Sequence, residues 1–201
     1  MVSHLRFAGL PDTAQRQALR DLIAANSLLM EVLSGLREAA LPDCWLVSGA
    51  IYNEVWNALT SRPALTGIKD IDIAYFDASD LSYEAEDRVI RGLAARFAHL
   101  QIPVEPRNQA RVHLWFESRF GFAVPPLNET AEALGRYASR THAVGARLEP
   151  DGRISLLAPF GLDDMFSFRL TPNRRLDNRL AHERKAARAK AIWPELLVEP
   201  W

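Results

Sequence analysis

The stretch 66-TGIKDIDIAYFDASD-80 decides the fold, because it sets two carboxylates, Asp70 and Asp72, inside an otherwise apolar run. Ile71, Ile73, Tyr75 and Phe76 favour cover, whereas ionised acids do not. Successive side chains on a strand point to opposite faces. With residues 68–76 as a strand, Asp70 and Asp72 share one face, roughly 6 to 7 Å apart along it. Ile71 and Ile73 share the other face and can pack on helices. Such a strand is the wall of a cleft. Two acids this close repel when both are ionised, and without a counter-charge at least one moves toward its neutral form. A divalent cation removes the conflict, and Mg²⁺ typically takes one or two carboxylates plus substrate phosphates. Acids also alternate on solvent-facing strands, so the pair draws its weight from its surroundings.

Upstream, 44-CWLVSGA-50 is a short apolar run ending at Gly49, and 51-IYNEVWNAL-59 carries Ile51, Val55 and Leu59 at helical spacing. That order is strand, glycine turn, helix, and exposed amides at a helix N-terminus bind phosphate. Downstream, Asp77, Ser79 and Asp80 mark a turn. Residues 82–100 predict a helix with Glu84 and Glu86 in the favourable first turn, and with Val89, Ile90, Leu93 and Phe97 on its buried face. The segments 102-IPVEP-106 and 110-ARVHLWF-116 read as a third strand region, broken near Pro106 to Asn108. Glu105 lies on it. A third carboxylate would complete a two-metal site, in which ions about 3.5 to 4 Å apart hold the attacking and leaving oxygens.

Residues 12–40 predict one broken or two short helices, with Asp12 or Thr13 as the cap after Pro11. After a proline-bearing loop, residues 129–137 predict a short helix. Residues 141–159 predict a hairpin turning at Asp151-Gly152. Asp163 and Asp164 cap a short helix after Gly161. Residues 177–192 predict a basic helix. Strands and helices interleave, so the class is mixed α/β. We expect a single domain over 1–201, with N-terminal helices at 12–40, an α/β core at 41–170 and a C-terminal helical extension at 171–201.

A chain of 201 residues with 48% hydrophobic and 24% charged residues has the composition of a globular domain. The formal net charge of −1 gives no general reason to expect nucleic acid or a membrane as partner. A single cysteine, Cys44, excludes an internal disulfide and a cysteine-based zinc site, and fits a reducing cytoplasm. The apolar runs fall short of the ~20 residues that span a bilayer. VSGAI is not a Gly-x-Ser-x-Gly elbow, and His182-Glu183 lacks the second histidine of a zincin.

The order strand, glycine turn, helix, then Asp-hydrophobic-Asp on a strand, then an acid on a later strand resembles the DNA polymerase β-type nucleotidyltransferase superfamily. More closely, LVSGAIYNEVW, DIDIAYFD, NQARVHLWF, APFGLDDMF and WPEL are similar to a family of bacterial nucleotidyltransferase-like proteins of uncharacterised function, over roughly residues 20–201. The resemblance implies a polymerase β-like fold, α/β (α+β), in which a small mixed β-sheet is flanked by helices, with a helical N-terminal segment and a C-terminal basic helix. It implies that Asp70 and Asp72 bind Mg²⁺ or Mn²⁺, with Glu105 as third ligand or as base for the acceptor hydroxyl. It puts Ser48 and Gly49 in the phosphate-binding turn, and Ala50, Asn53 and Arg111 complete the expected nucleotide-binding set. Two features depart from the superfamily pattern. The usual Gly-Ser or Gly-Gly pair reads Gly49-Ala50, and the separation between Gly49 and Asp70 is longer than usual.

The expectation is therefore metal-dependent transfer of a nucleoside monophosphate from a nucleoside triphosphate (NTP) to an unknown acceptor: a small molecule, a protein or RNA. The rivals are a non-catalytic nucleotide- or protein-binding module and a metal-dependent phosphodiesterase or nuclease. Arg111 divides evenly between phosphate binding and a structural ion pair, since guanidinium matches either partner. Asn108 and His113 lie near it, His113 as a hydrogen-bonded structural residue, while Lys69 points away from the acids. Trp56, Trp115 and Trp193 read as anchors. The basic residues from Arg174 to Lys190 read as a solvated helix face, with docking of RNA as the sharper alternative.

Overall fold

The computed structural model describes residues 3–201. Strands β1 (Trp45–Val47), β2 (Ile71–Tyr75), β3 (Val104–Asn108), β4 (Gly145–Leu148) and β5 (Ile154–Leu157) form one sheet in the order β3-β2-β1-β4-β5. β2 and β3 run parallel; the other pairings are antiparallel. Alternation splits this sheet into unlike faces. Leu46, Ile71, Ile73, Tyr75, Val104 and Ala146 point one way, into the main core. Trp45, Val47 and Ala74 point the other way, into a much smaller cluster with Leu134 and Ala143.

The helices α1 (Asp12–Ala24), α2 (Ser27–Ala39), α3 (Gly49–Thr60) and α4 (Tyr83–Arg96) contribute Leu19, Leu33, Ile51, Val55 and Leu93 to the main core. Neither Asp12 nor Thr13 caps α1; Pro11 occupies that place, and Asp12 pairs with Arg16 at 2.6 Å. Side-chain caps do start α2 and α4: Asn26 accepts from the Leu29 amide and Ser82 from the Ala85 amide. α4 is the crossover that a parallel β2–β3 pair requires. Gly35 lets α4 lie close on α2, since a Cβ there would fall 2.6 Å from the Phe97 ring.

The third strand is shorter than expected. It ends at Asn108, and 110-ARVHLWF-116 is helical instead: a 3₁₀ turn at Gln109–Arg111 leads into α5 (Val112–Phe120). The Asn108 side chain accepts from the amides of Ala110 and Asp77, so it caps the turn and ends the strand. Short apolar runs satisfy both periodicities. Beyond α6 (Thr130–Leu134) the expected hairpin forms as β4 and β5, but its first residues are a 3₁₀ turn at Arg140–His142. Asp163 and Asp164 lie inside α7 (Asp163–Phe166) rather than capping it. Asp163 accepts from the Gly9 amide and Gln15 Nε2, and Asp164 pairs with Arg169.

The C-terminal segment is fastened to α3. α8 (Arg179–Ile192) ends at Trp193, which is buried edge-on against Trp56 at 5.2 Å and donates from Nε1 to Asn57 Oδ1 at 3.2 Å. Glu195 accepts both Arg62 terminal nitrogens at 3.0 Å. Strand β6 (Arg169–Leu170) pairs parallel with β7 (Leu197–Val198). Among the described residues, no helix is long and apolar enough to cross a membrane.

Candidate active site

The glycine turn is built by a strained residue. Ser48 closes β1 with φ +60° and ψ −119°, a conformation L-residues rarely adopt. Such backbone costs of order 1–3 kcal/mol and persists only where its surroundings hold it. Here the Ser48 amide donates to the Val144 carbonyl at 2.8 Å, and its own carbonyl accepts from Ile51 and Tyr52. The kink points the start of α3 at the open face of the sheet. Among the described residues, the Gly49 and Ala50 amides donate to no protein acceptor. They are the free donors that a helix start offers an anion. Burial pushes the Tyr52 phenol, which is hydrogen-bonded to Ser48, up to about 12. His142 stacks on that ring, centroids 4.5 Å apart.

On β2, Asp72 stands directly opposite Glu105 of β3 in the parallel register. Burial, and after it the Asp70 carboxylate, push Asp72 up to about 6. Lys185 and Arg107 pull it down and Glu105 adds to the rise. Asp72, Glu105 and Ser48 line a cavity of about 400 Å³ together with Arg107, Lys185 and Phe116. Asp70 sits just before β2 and does not line this cavity, although its charge is felt at Asp72.

The expected three-carboxylate metal set is not assembled. Among the described residues, no group of three or more His, Cys, Asp or Glu side chains is placed to hold an ion. The half-exposed Glu105 carboxylate turns to Arg107 at 3.3 Å, and Asp70 does not line the cavity that Asp72 and Glu105 share. The Asp70–Asp72 pair does fit a divalent ion in its donor chemistry. They are two hard oxygen donors, and a cation would relieve the Asp70 repulsion that adds to burial at Asp72, with water and phosphate filling the rest of a Mg²⁺ shell.

Two expected nucleotide contacts lie elsewhere. Arg111 turns away from the cavity into a buried ion pair with Glu86, and its Nε donates to the Leu81 carbonyl at 2.9 Å. The helical turn at 109–111 carries it under α4, whereas a continuing strand would have kept it beside the acids. Asn53 is buried too, and donates to the Gly67 carbonyl at 3.4 Å. It fastens the loop that delivers Asp70. Gly67 has φ +78°, and a Cβ there would lie 2.5 Å from Trp193, so this loop needs glycine. Lys69 is exposed and Asn108 is structural. A continuing strand would have put His113 on one face with Arg111, but the helical turn and α5 set them apart.

Other lining residues carry no sequence signal of proximity. Arg119, Arg136, Asn178 and Lys185 come from α5, the turn after α6 and the region of α8. Only long-range packing brings these segments to the acids.

A family model described as Nucleotidyltransferase matches residues 34–198. No curated protein matches. The fold is similar to a solved structure described as "The NMR structure of the protein reveals a CCA-adding enzyme head domain", with a TM-score of 0.74 and 24% identity over 92% of this chain and 96% of that one. The family match spans both the strained turn at Ser48 and the acid-bearing strands, and on it the chain belongs to the nucleotidyltransferase family.

Proposed function

We propose that this protein transfers a nucleoside monophosphate from an NTP to an acceptor hydroxyl, with Mg²⁺ or Mn²⁺ held by Asp70 and Asp72. The observation that carries the reading is the registry of Asp72 with Glu105 on the thinly covered sheet face, in one cavity with the Ser48 turn. When bound, the ion would neutralise phosphate charge and stabilise the charge that develops during transfer. The Gly49 and Ala50 amides bind phosphate oxygens at the positive end of α3. Glu105 accepts the acceptor's proton as the new oxygen–phosphorus bond forms. The bond from the α-phosphorus to the bridging oxygen breaks, and pyrophosphate leaves with that electron pair. The protein's part is orientation and charge placement, as in other phosphoryl-type transfers.

A second reading has one observation in its favour. The residue after Gly49 is alanine, so no hydroxyl follows the turn, and a nucleotide-binding module without turnover would tolerate that loss. Incubation with Mg²⁺, α-labelled triphosphates and cell extract or RNA as acceptor source separates the two. Pyrophosphate release with a labelled adduct, abolished in Asp72→Asn, is the expected result. Nucleotide binding with no pyrophosphate supports the module, and an unchanged rate in Asp72→Asn rules out the transfer mechanism.

A further inference from the structure

α8 presents two stripes. His182, Ala186 and Ala189 are buried in the protein. Asn178, just before the helix, and Ala181 and Lys185 on it, at spacings of three and four along one face, line the cavity that holds Asp72, Glu105 and Ser48. Ala181 is small and leaves the wall recessed between its polar neighbours. Asn178 donates to the Arg136 carbonyl at 3.1 Å and fixes the start of the helix against the cavity rim.

The cavity's cations are not equivalent. Arg107 is engaged by Glu105. Arg136 donates to the Pro125 carbonyl at 2.9 Å, and Arg119 lies over the Phe120 ring. Of the other basic residues of α8, Arg179 is occupied by Glu183, Arg184 by the Leu180 carbonyl, and Lys190 by the carbonyls of Pro194 and Leu196, while Arg188 has no such partner among the described residues but does not line this cavity. Lys185 has no hydrogen bond, ion pair or aromatic contact among the described residues, although it lines a cavity with two carboxylates. The donors at the Ser48 turn are neutral amides and a hydroxyl. Neutral donors orient a polyphosphate without balancing its charge, and the Ala50 side chain adds no donor.

We propose that α8 is the phosphate-facing wall of this cavity and that Lys185 binds the polyphosphate of the nucleotide as its protein counter-charge. This rests on the nucleotidyl-transfer reading above. The basic helix then belongs to the nucleotide site rather than to a solvated surface or an RNA track. A flexible ammonium with three donors can follow the polyphosphate from bound triphosphate to departing pyrophosphate. Charge-assisted contacts of this kind are the stronger hydrogen bonds.

The test compares wild type, Lys185→Met and Lys185→Arg by titration calorimetry with Mg²⁺–ATP, Mg²⁺–tripolyphosphate and adenosine. Lys185 is exposed, and circular dichroism confirms that the variants remain folded. The expected result is about a tenfold weaker Kd in Lys185→Met for both ATP and tripolyphosphate. Adenosine binding should be unchanged and Lys185→Arg should recover most of the loss. Equal Kd values for wild type and Lys185→Met overturn the assignment while leaving nucleotidyl transfer standing. An equal loss for adenosine also overturns it, since that marks a distorted pocket rather than a lost phosphate contact. If wild type binds neither ATP nor tripolyphosphate, the transfer reading falls, and the assignment falls with it.

Discussion

The two faces of the sheet put neighbouring residues of one strand to opposite uses. Ile71, Ile73 and Tyr75 face four helices and are fully enclosed. Asp72, between them, faces a cavity that α5 and α8 cover incompletely. One face buys stability by excluding water, and the other gives some up to hold charge near a void. The proposed site therefore falls where the covering layer is thin. The strained Ser48 belongs to the same side, held in place by the carbonyl of Val144 just before β4.

Asp72→Asn breaks the comparison most sharply. We expect transfer to drop by on the order of 10³-fold, with no loss of stability. The sign follows from Asp72 standing at about 6 against 3.8 when free. In this window the native state holds a proton that the unfolded chain releases, so the carboxylate's contribution to stability falls as pH rises through it. Asparagine removes that decline. Urea midpoints of the metal-free proteins at pH 5 and pH 7.5 measure it, and a strongly destabilised variant would mean that the carboxylate holds the fold.

Arg111→Ala comes next. The guanidinium lies with Glu86 under α4, and its loss strands a buried carboxylate, at a cost of about 3–5 kcal/mol. Because Arg111 faces away from the cavity, KM for nucleotide should stay unchanged in the folded fraction. Pairing it with Glu86→Gln should recover much of the stability. A KM defect that persists in the double variant would return Arg111 to the nucleotide site.

Ile73→Ala tests the helix face one residue from Asp72. Removing this enclosed side chain should cost about 2–4 kcal/mol with kcat retained, the inverse of Asp72→Asn. Denaturant curves beside single-turnover rates read both quantities, and a loss of kcat would show that the two faces are coupled through β2.

This contrast explains what the sequence discloses. Period-two alternation at 70–76 shows the unlike faces directly, and the glycine turn before a helical stripe shows the phosphate-facing helix start. The departures occur where a side chain's destination depends on distant partners. Glu86 looks like a first-turn helix charge, yet it is the buried mate of Arg111. Asn53 looks like a nucleotide contact, yet it ties down Gly67. Lys185 looks like one more residue in a basic run, and long-range packing, with Trp193 on Trp56 and Asn178 on the Arg136 carbonyl, brings its helix to the acids. Local pattern also cannot tell strand from helix at 110–116, because Val112 and Phe116 satisfy a helical turn as well as Arg111, His113 and Trp115 satisfy an alternation.

The smallest effect concerns His142, which joins the two layers by stacking on Tyr52 while neither ring nitrogen finds a protein partner. Burial, with Lys185, His182 and Arg188 nearby, holds it well below its ordinary 6.5. A histidine kept neutral in the native state lets the unfolded chain take up a proton first. Its contribution is therefore intact above pH 6.5 and is lost as pH falls below it. That loss amounts to at most about 2 kcal/mol between pH 7 and pH 5. His142→Phe keeps an aromatic ring over Tyr52 but cannot titrate, so its urea midpoint should fall less between those pH values than that of wild type. Equal slopes for the two proteins would mean that His142 is charged in the folded state. A cation beneath the Ser48 turn would then add to Lys185 on the phosphate side of the cavity, and the division between an inert packed layer and a charged open one would have to be redrawn through α3.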